Sequence, residues 1–378
     1  MGSRLRLFRT RKPYEIKDSN DLFLRAMQEN CAYHMAHCPE YRKIADNVGF
    51  SPENLKKYED IADIPPIPTL FFKRHHIYSM SATRSLIHAT SSGTSGQFSD
   101  IRFDTGGLWA GLRMVLTVAK RRKLLSARPC HYIVMGYRPH RSNKTAIAKT
   151  AYGYTFFAPA LDRTFALKYR DGQYTPDLDG IIDAIVKHSR SRFPTRFIGF
   201  PAYTWFVLKR MEERGLTVRL PRHSVIMLGG GWKQFYREQV DKREFYEMAE
   251  RILGVPEDHV IEAFGAAEHP ILYLDCPHHH FHVPAYSRVI IRDVHTLKPV
   301  GNGQIGLINL LTPMVRATPI QSIMTDDLGI LHDGETCPCG LTSPWLEIVG
   351  RVGLKDIKTC AAGAGDILAA SLGKEERT

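Results

Sequence analysis

Thr90-Ser-Ser-Gly-Thr-Ser-Gly-Gln97 is the stretch on which the reading turns. It follows a short apolar run and precedes a helical stretch beginning near Thr105. Glycines let backbone amides converge on phosphate oxygens, and small hydroxyls add donors without bulk. No Gly-Lys-Ser/Thr follows at the required spacing, so the segment is not a Walker A loop. A Gly/Ser run is also the ordinary composition of a surface turn. Its place between strand-like and helix-like stretches favours phosphate binding.

Downstream, apolar runs of strand type alternate with helical stretches. The candidate strands are His131–Met135, Thr155–Ala158, Arg196–Gly199, Val225–Leu228 and Val260–Ala263. The candidate helices are Thr105–Lys123, Leu178–Ser189, Ala202–Gly215 and Phe235–Leu253. This alternation predicts an α/β sheet with helices packed on its faces. Upstream, the first sixty residues read as helical and amphipathic, most clearly from Asp21 to His37. Asp63-Ile-Pro-Pro-Ile-Pro-Thr69 then breaks helix repeatedly, because proline removes a donor and fixes φ. From Pro270 to Val349, short β segments separated by Gly, Pro and Asp predict a smaller β-rich lobe. The expected organisation is a helical segment over 1–63, an α/β core over 64–269, the β-rich lobe over 270–349 and a short piece over 350–378.

The bulk composition bounds the function. A chain of 378 residues, 43% hydrophobic and 24% charged, is ordinary for a soluble globular enzyme, and no apolar run reaches the length of a membrane span. Arg4, Arg6, Arg9, Arg11 and Lys12 read as a solvated tail, without the apolar stretch and cleavage site of a secretory signal. The formal net charge of +12 suits nucleic acid, a membrane surface or an acidic partner. The basic residues are spread along the chain, apart from clusters such as Lys120-Arg121-Arg122-Lys123, and no nucleic-acid-binding signature accompanies them. Nucleic acid is therefore not expected. An anionic substrate such as ATP, or an acidic carrier protein, accounts for the charge. Seven scattered cysteines do not form a secreted disulfide framework, which predicts a cytoplasmic protein.

Ser91, Ser92, Gly93, Thr94, Ser95 and Gly96 match the phosphate loop of the adenylate-forming enzymes, the superfamily of acyl-CoA ligases and peptide-synthetase adenylation domains. The resemblance implies further motifs in a fixed order, and they follow. Leu228-Gly229-Gly230-Gly231-Trp-Lys233 stands where the family lays adenine against the backbone. Ala263-Phe264-Gly265-Ala-Ala-Glu268 resembles the aromatic-Gly-x-x-Glu motif, in which the aromatic stacks on adenine and the glutamate holds magnesium. Thr325-Asp-Asp327 resembles the family's Thr-x-Asp, whose aspartate accepts both ribose hydroxyls; Asp327 takes that role and Asp326 is read as solvated. Gly350-Arg351 followed by Lys355 is similar to the hinge motif, with Arg351 near ribose and phosphate. Each motif is weak alone, but these four, in order behind the loop that begins at Ser91 and reaching Arg351, make a strong joint signal. Pro66-Ile-Pro-Thr-x-x-Phe72-Lys73, the cysteine-rich insertion and the short C-terminus resemble the phenylacetate-CoA ligase branch and the LuxE-type acyl-protein synthetases of bacterial bioluminescence.

Cys276-Pro-His-His-His-Phe-His282 and Cys337-Pro-Cys339 together offer three sulfurs and four imidazoles. Three thiolates and one histidine are a closed tetrahedral set typical of structural zinc. Relatives in the phenylacetate branch carry a cysteine and a histidine here, which assigns Cys276, His282, Cys337 and Cys339, with His280 as the alternative imidazole. The competing reading is free cysteines on two adjacent loops.

Most adenylate-forming ligases continue past the hinge into a small mobile domain that carries a catalytic lysine and admits CoA. Only 27 residues follow Arg351, so the small domain is expected to be largely absent and CoA use is in doubt. Within this stretch Cys360 is flanked by small residues, and Lys355 and Lys358 would lower its pKa. Acyl-protein synthetases take the acyl group onto a cysteine at a similar place; an ordinary cysteine in a frayed tail is the alternative. The leading expectation is activation of a small-molecule carboxylic acid, a fatty acid above all, by ATP and magnesium to acyl-AMP, then transfer to the Cys360 thiol and onward to an acceptor or carrier protein. The alternatives are direct transfer to a carrier-protein thiol, CoA or an amine, and a non-catalytic nucleotide-binding scaffold.

Overall fold

The computed structural model describes residues 2–85, 87–90, 99–141, 143, 146–232, 235 and 239–351. Its contacts divide it into two compact units. The first takes the chain up to Val118, Gly265–Tyr273 and everything described from His280 onward; the second takes Ala119–Phe264 and Leu274–His279. In chain order come α1 (Ser3–Leu7), α2 (Asn20–His37), α3 (Pro39–Asn47), β1 (Ile67–Pro68), α4 (Thr69–Arg74), β2 (Ile87–Thr90), β3 (Asp100–Phe103) and α5 (Thr105–Arg121). Then follow β4 (Cys130–Tyr137), α6 (Ala146–Tyr154), β5 (Ala160–Arg170), β6 (Gln173–Pro176), α7 (Leu178–Ser189), β7 (Thr195–Gly199), α8 (Pro201–Glu213), β8 (Val225–Gly229), α9 (Lys242–Leu253) and β9 (Val260–Ala266). The chain ends in strands: β10 (His269–Leu274), β11 (Phe281–His282), β12 (Arg288–Arg292), β13 (Ile305–Leu311), β14 (Ser322–His332) and β15 (Trp345–Arg351). The mixed α/β class expected from the alternation is the class observed.

In the first unit, α2 buries Phe23, Met27, Cys31 and His34 along one face, the spacing of an amphipathic helix. It stops at Cys38, which Pro39 forces into an extended conformation, and Pro39 opens α3 at the position where its missing N–H costs nothing. The reading of the first dozen residues as a solvated tail is corrected. Arg4 and Leu7 of α1 and the adjoining Phe8 are buried, and the Arg4 guanidinium pairs with the buried Asp104 at 2.9 Å. A basic run gives no sign that one of its charges has a carboxylate partner a hundred residues away. The unit's main sheet runs β11-β15-β14-β13-β12, with β1 added parallel to β14 through Ile67 opposite Ile323 and Pro68 opposite Met324. The Pro66-Ile-Pro-Thr segment is therefore a short strand. From Pro270 to Val349 the described elements are strands and one 3-10 turn at Gly334–Thr336, as the composition predicts.

In the second unit the sheet runs, among the unit's own strands, in the order β9-β8-β7-β4-β5-β6. The neighbours from β9 to β5 pair in parallel; β6 returns antiparallel to β5 through Asp171-Gly172, both at positive φ as a two-residue hairpin turn requires. Ile133, Ile181, Ile185, Phe197, Leu208, Ile226, Phe245 and Ile252 form one buried cluster joining α7, α8 and α9 to the sheet. Trp205 belongs to this core, with Tyr203 and Phe206 packed against it. Asp177 caps α7 by accepting from Gly180 N at 3.1 Å. Two sequence expectations are displaced. Thr155–Ala158 is a turn rather than a strand, because Thr155 Oγ1 donates to Tyr152 O at 2.7 Å and closes α6, and β5 starts after Pro159. The helix expected from Phe235 begins at Lys242, where Asp241 accepts from Arg243 N at 2.9 Å as its cap.

Candidate functional site

Ser91 to Gly96 lie outside the described residues, but the two ends of that loop do not. Thr90 pairs with Asp100 at the mouth of the antiparallel β2–β3 ladder. Ser99, fully buried, follows the loop, and its Oγ donates to Glu268 Oε1 at 2.5 Å. Glu268 is itself 4% exposed, in the tight turn between β9 and β10. A hydroxyl on a carboxylate is a strong, charge-assisted hydrogen bond, and it fixes where the glutamate points. The sequence motifs do not include Ser99; its only signal is a fourth serine, trailing the glycine-rich loop. At the other end of the hairpin, Asp104 holds the Gly107 amide of α5 at 3.2 Å and the Arg316 amide at 2.8 Å, so the start of that helix is tied down on two sides.

In the second unit, Gly229 ends β8, and Gly230 and Gly231 follow at φ of +80° and +65°. Side chains other than glycine are strained there, so the strand turns sharply away and leaves bare backbone at its carboxyl end. Gly229 is in register with Ala263 of the parallel neighbour β9, which places Phe264 one residue beyond. Carboxyl ends of parallel strands are where open α/β sheets bind ligands, and two of the predicted adenine motifs meet there. Phe264 is half-buried and Gly265 exposed.

In the first unit, Asp327 of β14 stands directly opposite Arg351 of β15. The ladder slips between Leu328 and Gly329, so that Val349 is an extra residue in β15. Such bulges re-aim neighbouring side chains and recur beside functional sites. Asp327 N donates to Thr325 Oγ1 at 3.2 Å, which in turn donates to Ile308 O at 3.3 Å. The Thr-x-Asp pattern thus has a local cause: the threonine sets the backbone of the aspartate. Asp326, read as solvated, is half-buried and accepts from Thr69 Oγ1 at 3.4 Å. That contact joins the Pro66-Ile-Pro-Thr segment to the Thr-x-Asp strand. Lys355 and Cys360 lie outside the described residues.

His282, Cys337 and Cys339 come together in the first unit, their ligand atoms within 4.8 Å of one another. His282 Nδ1 donates to Ser343 O at 2.8 Å, which leaves Nε2 with its lone pair 3.2 Å from Cys339 Sγ. A backbone carbonyl holding the far nitrogen is the usual way a protein orients a metal-binding imidazole. His280 Nδ1 lies 3.1 Å from Cys337 Sγ, and its ring stacks on Trp345 at 3.7 Å. Cys276 stands on the 274–279 segment, which is compact with the second unit and is anchored there by its neighbour Asp275. The Asp275 carboxyl, raised in pKa by burial, accepts from His279 Nδ1 at 2.7 Å and pairs with Arg122 at 3.5 Å. Two further buried histidines are held neutral: burial pushes His34 and His269 down to about 3. His269 follows Glu268 directly, yet it meets Tyr273 Oη at 3.2 Å and Ser287 Oγ at 3.1 Å and acts as a packing residue.

A long-chain-fatty-acid–luciferin-component ligase of Vibrio harveyi is 24% identical over 354 residues, 93% of this chain and 89% of that protein. A phenylacetate-coenzyme A ligase of Thermus thermophilus is 24% identical, covering 84% of this chain and 68% of the relative. Among solved structures, an open conformation of 2-hydroxyisobutyryl-CoA ligase, in complex with its acyl-AMP and CoA, superimposes with a TM-score of 0.65 at 16% identity, over 90% of this chain and 76% of that one, which shows the fold. The sequence profile of the family described as "Acyl-protein synthetase, LuxE" matches residues 8–369. The chain belongs to the LuxE acyl-protein synthetase family of AMP-forming acyl ligases.

Proposed function

We propose that the chain activates a long-chain fatty acid with ATP and then takes the acyl group onto Cys360. The substrate class is that of the Vibrio harveyi relative, whose name gives a long-chain fatty acid and a luciferin component. In the first step a carboxylate oxygen of the acid attacks the α-phosphorus of ATP and pyrophosphate leaves, giving acyl-AMP. In the second, the Cys360 thiolate attacks the acyl carbonyl, the carbon–oxygen bond to phosphate breaks and AMP leaves, giving a thioester. Phe264 and the bare backbone at Gly229, Gly230 and Gly231 receive adenine, Asp327 the ribose hydroxyls, Arg351 and the 91–96 loop the phosphates. Magnesium arriving with the nucleotide is held by Glu268, a carboxylate of the kind hard cations take, and it neutralises phosphate charge there. The acyl group then passes to an acceptor or carrier protein.

The observation that carries this reading is the ladder that sets Asp327 opposite Arg351, two motifs 24 residues apart in sequence brought to one end of one strand pair. We assign zinc to Cys276, His282, Cys337 and Cys339 as a closed structural set; the Nδ1–H of His282 donated to Ser343 O supports His282 over His280. The six described cysteines form no disulfide, and no described helix is long and apolar enough to cross a membrane. Both suit a cytoplasmic protein.

Mutation separates the two half-reactions. Cys360→Ser should keep acid-dependent pyrophosphate exchange and lose the hydroxylamine-labile acyl adduct, because a serine hydroxyl without a base is a far poorer nucleophile than a thiolate. Adduct that still accumulates on Cys360→Ser moves the acceptor elsewhere in the chain. Wild-type protein that exchanges pyrophosphate but never becomes acylated makes direct transfer to CoA, an amine or a carrier thiol the better reading.

A further inference from the structure

His131 in β4, Asp162 in β5 and His188 near the end of α7 converge in the second unit. The parallel register sets His131 beside Asp162, at the end of the sheet where its strands begin. Gly199 and Gly229 mark the opposite end, where such sheets bind their substrates, so the cluster is separate from the adenylating chemistry.

The rings of His131 and His188 stack with centroids 4.1 Å apart and planes 18° from parallel. His131 is 8% exposed and His188 1%. Both rings address one atom: His131 Nδ1 lies 3.0 Å and His188 Nε2 3.2 Å from Asp162 Oδ2. The other carboxylate oxygen, Asp162 Oδ1, and the other nitrogen of His188, Nδ1, are buried without a hydrogen-bond partner. Hydrogen bonding within the triad therefore leaves a buried acceptor unused, a costly arrangement for a purely structural contact.

We propose that His131, Asp162 and His188 bind a borderline divalent cation of the zinc type. Two imidazole nitrogens and one carboxylate oxygen are the donor set such ions take, with a remaining position left to water. A metal about 2.0–2.1 Å from each donor sets its ligand atoms about 3.0–3.4 Å apart, and the two nitrogen–oxygen separations observed, 3.0 and 3.2 Å, match that spacing. On binding, the two rings turn out of their stack so that His131 Nδ1 and His188 Nε2 each direct a lone pair at the ion. The Nε2–H of His131 then donates to Ser191 Oγ, now 2.9 Å away, which fixes the ring. The Asp162 side chain is 33% exposed, which gives the ion a way in and the water its place. Occupied, the site clamps the start of β4 and β5 to the end of α7.

Cobalt distinguishes this site from the cysteine set, because a site without sulfur shows visible ligand-field bands but no thiolate charge-transfer band. Full-length protein stripped by chelator and titrated with Co2+ should bind one equivalent of that sulfur-free kind. His188→Gln and Asp162→Asn should each weaken that equivalent about a hundredfold or more, beyond the loss typical of supporting residues, and keep any thiolate band. Equal stoichiometry and spectra in wild type and both variants overturn the proposal. Where the variants do not fold, X-ray absorption at the zinc edge of the loaded wild type decides. A zinc shell of nitrogen and oxygen alone supports the site; sulfur around every bound zinc, or no zinc beyond the cysteine set, overturns it.

Discussion

Ser99 and Glu268 are 169 residues apart in sequence and 2.5 Å apart in space. The serine has no motif of its own, and pairing at that separation leaves no trace in a single sequence; Glu268 was legible because its aromatic-Gly-x-x-Glu context is local. Removing the hydroxyl frees the buried carboxylate to turn. Ser99→Ala should raise the magnesium concentration giving half-maximal pyrophosphate exchange about tenfold, the cost of a hydrogen bond to a charged group. Ser99→Thr, which keeps the hydroxyl, should restore part of it. Glu268→Ala should abolish most of the exchange at any magnesium concentration, since bridging phosphate charge is then uncompensated. Magnesium dependence unchanged in Ser99→Ala would confine Ser99 to packing, and undiminished exchange in Glu268→Ala would remove the magnesium assignment.

Among the elements, α7 was legible to the residue, because its apolar period and its Asp177 cap agree. The stretch after Tyr154 was not: Phe156 and Phe157 look like strand residues, but Phe156 is 64% exposed and the Thr155 hydroxyl ends the helix instead. The β14–β15 bulge was also invisible, since one extra residue changes no composition. It depends on close approach at Gly329, where an added Cβ would sit 2.6 Å from Glu347 O. Gly329→Ala should therefore cost about 1–3 kcal/mol of stability by overpacking, and it should weaken ATP binding by disturbing Asp327 two residues away; wild-type melting and ATP affinity in this variant would mean the ladder adjusts freely. Cys337→Ala tests the neighbouring loop. Wild type should carry zinc on metal analysis, and the variant should lose it and melt lower while the surviving folded fraction keeps pyrophosphate exchange. Exchange lost in step with zinc would give the metal a part in the chemistry.

At the scale of the whole molecule, the buried histidines set a response to acid. His34 and His269 bind protons in the unfolded chain near 6.5 but in the fold only near 3. The unfolded state therefore holds more protons across that interval, and stability falls as pH drops below about 6.5. Each contributes up to about 1.4 kcal/mol per pH unit within it. Denaturant midpoints measured from pH 7 to pH 4 should decline with that sign, and a flat profile would show that both sites admit water. The order in which the two units are assembled follows from their connectivity. The second unit is almost one uninterrupted run, Ala119–Phe264, and its sheet closes between strands that are near neighbours in sequence. The first is gathered from three separated stretches, and β1 cannot find its partner β14 until Ile323 and Met324 have been made. Chains emerging from a ribosome fold early segments first, and long closures are the slow ones. A nascent chain halted near residue 300 would therefore hold a folded centre with an unfinished beginning, its proline-braced edge strand exposed and waiting for the chaperones that shield such edges.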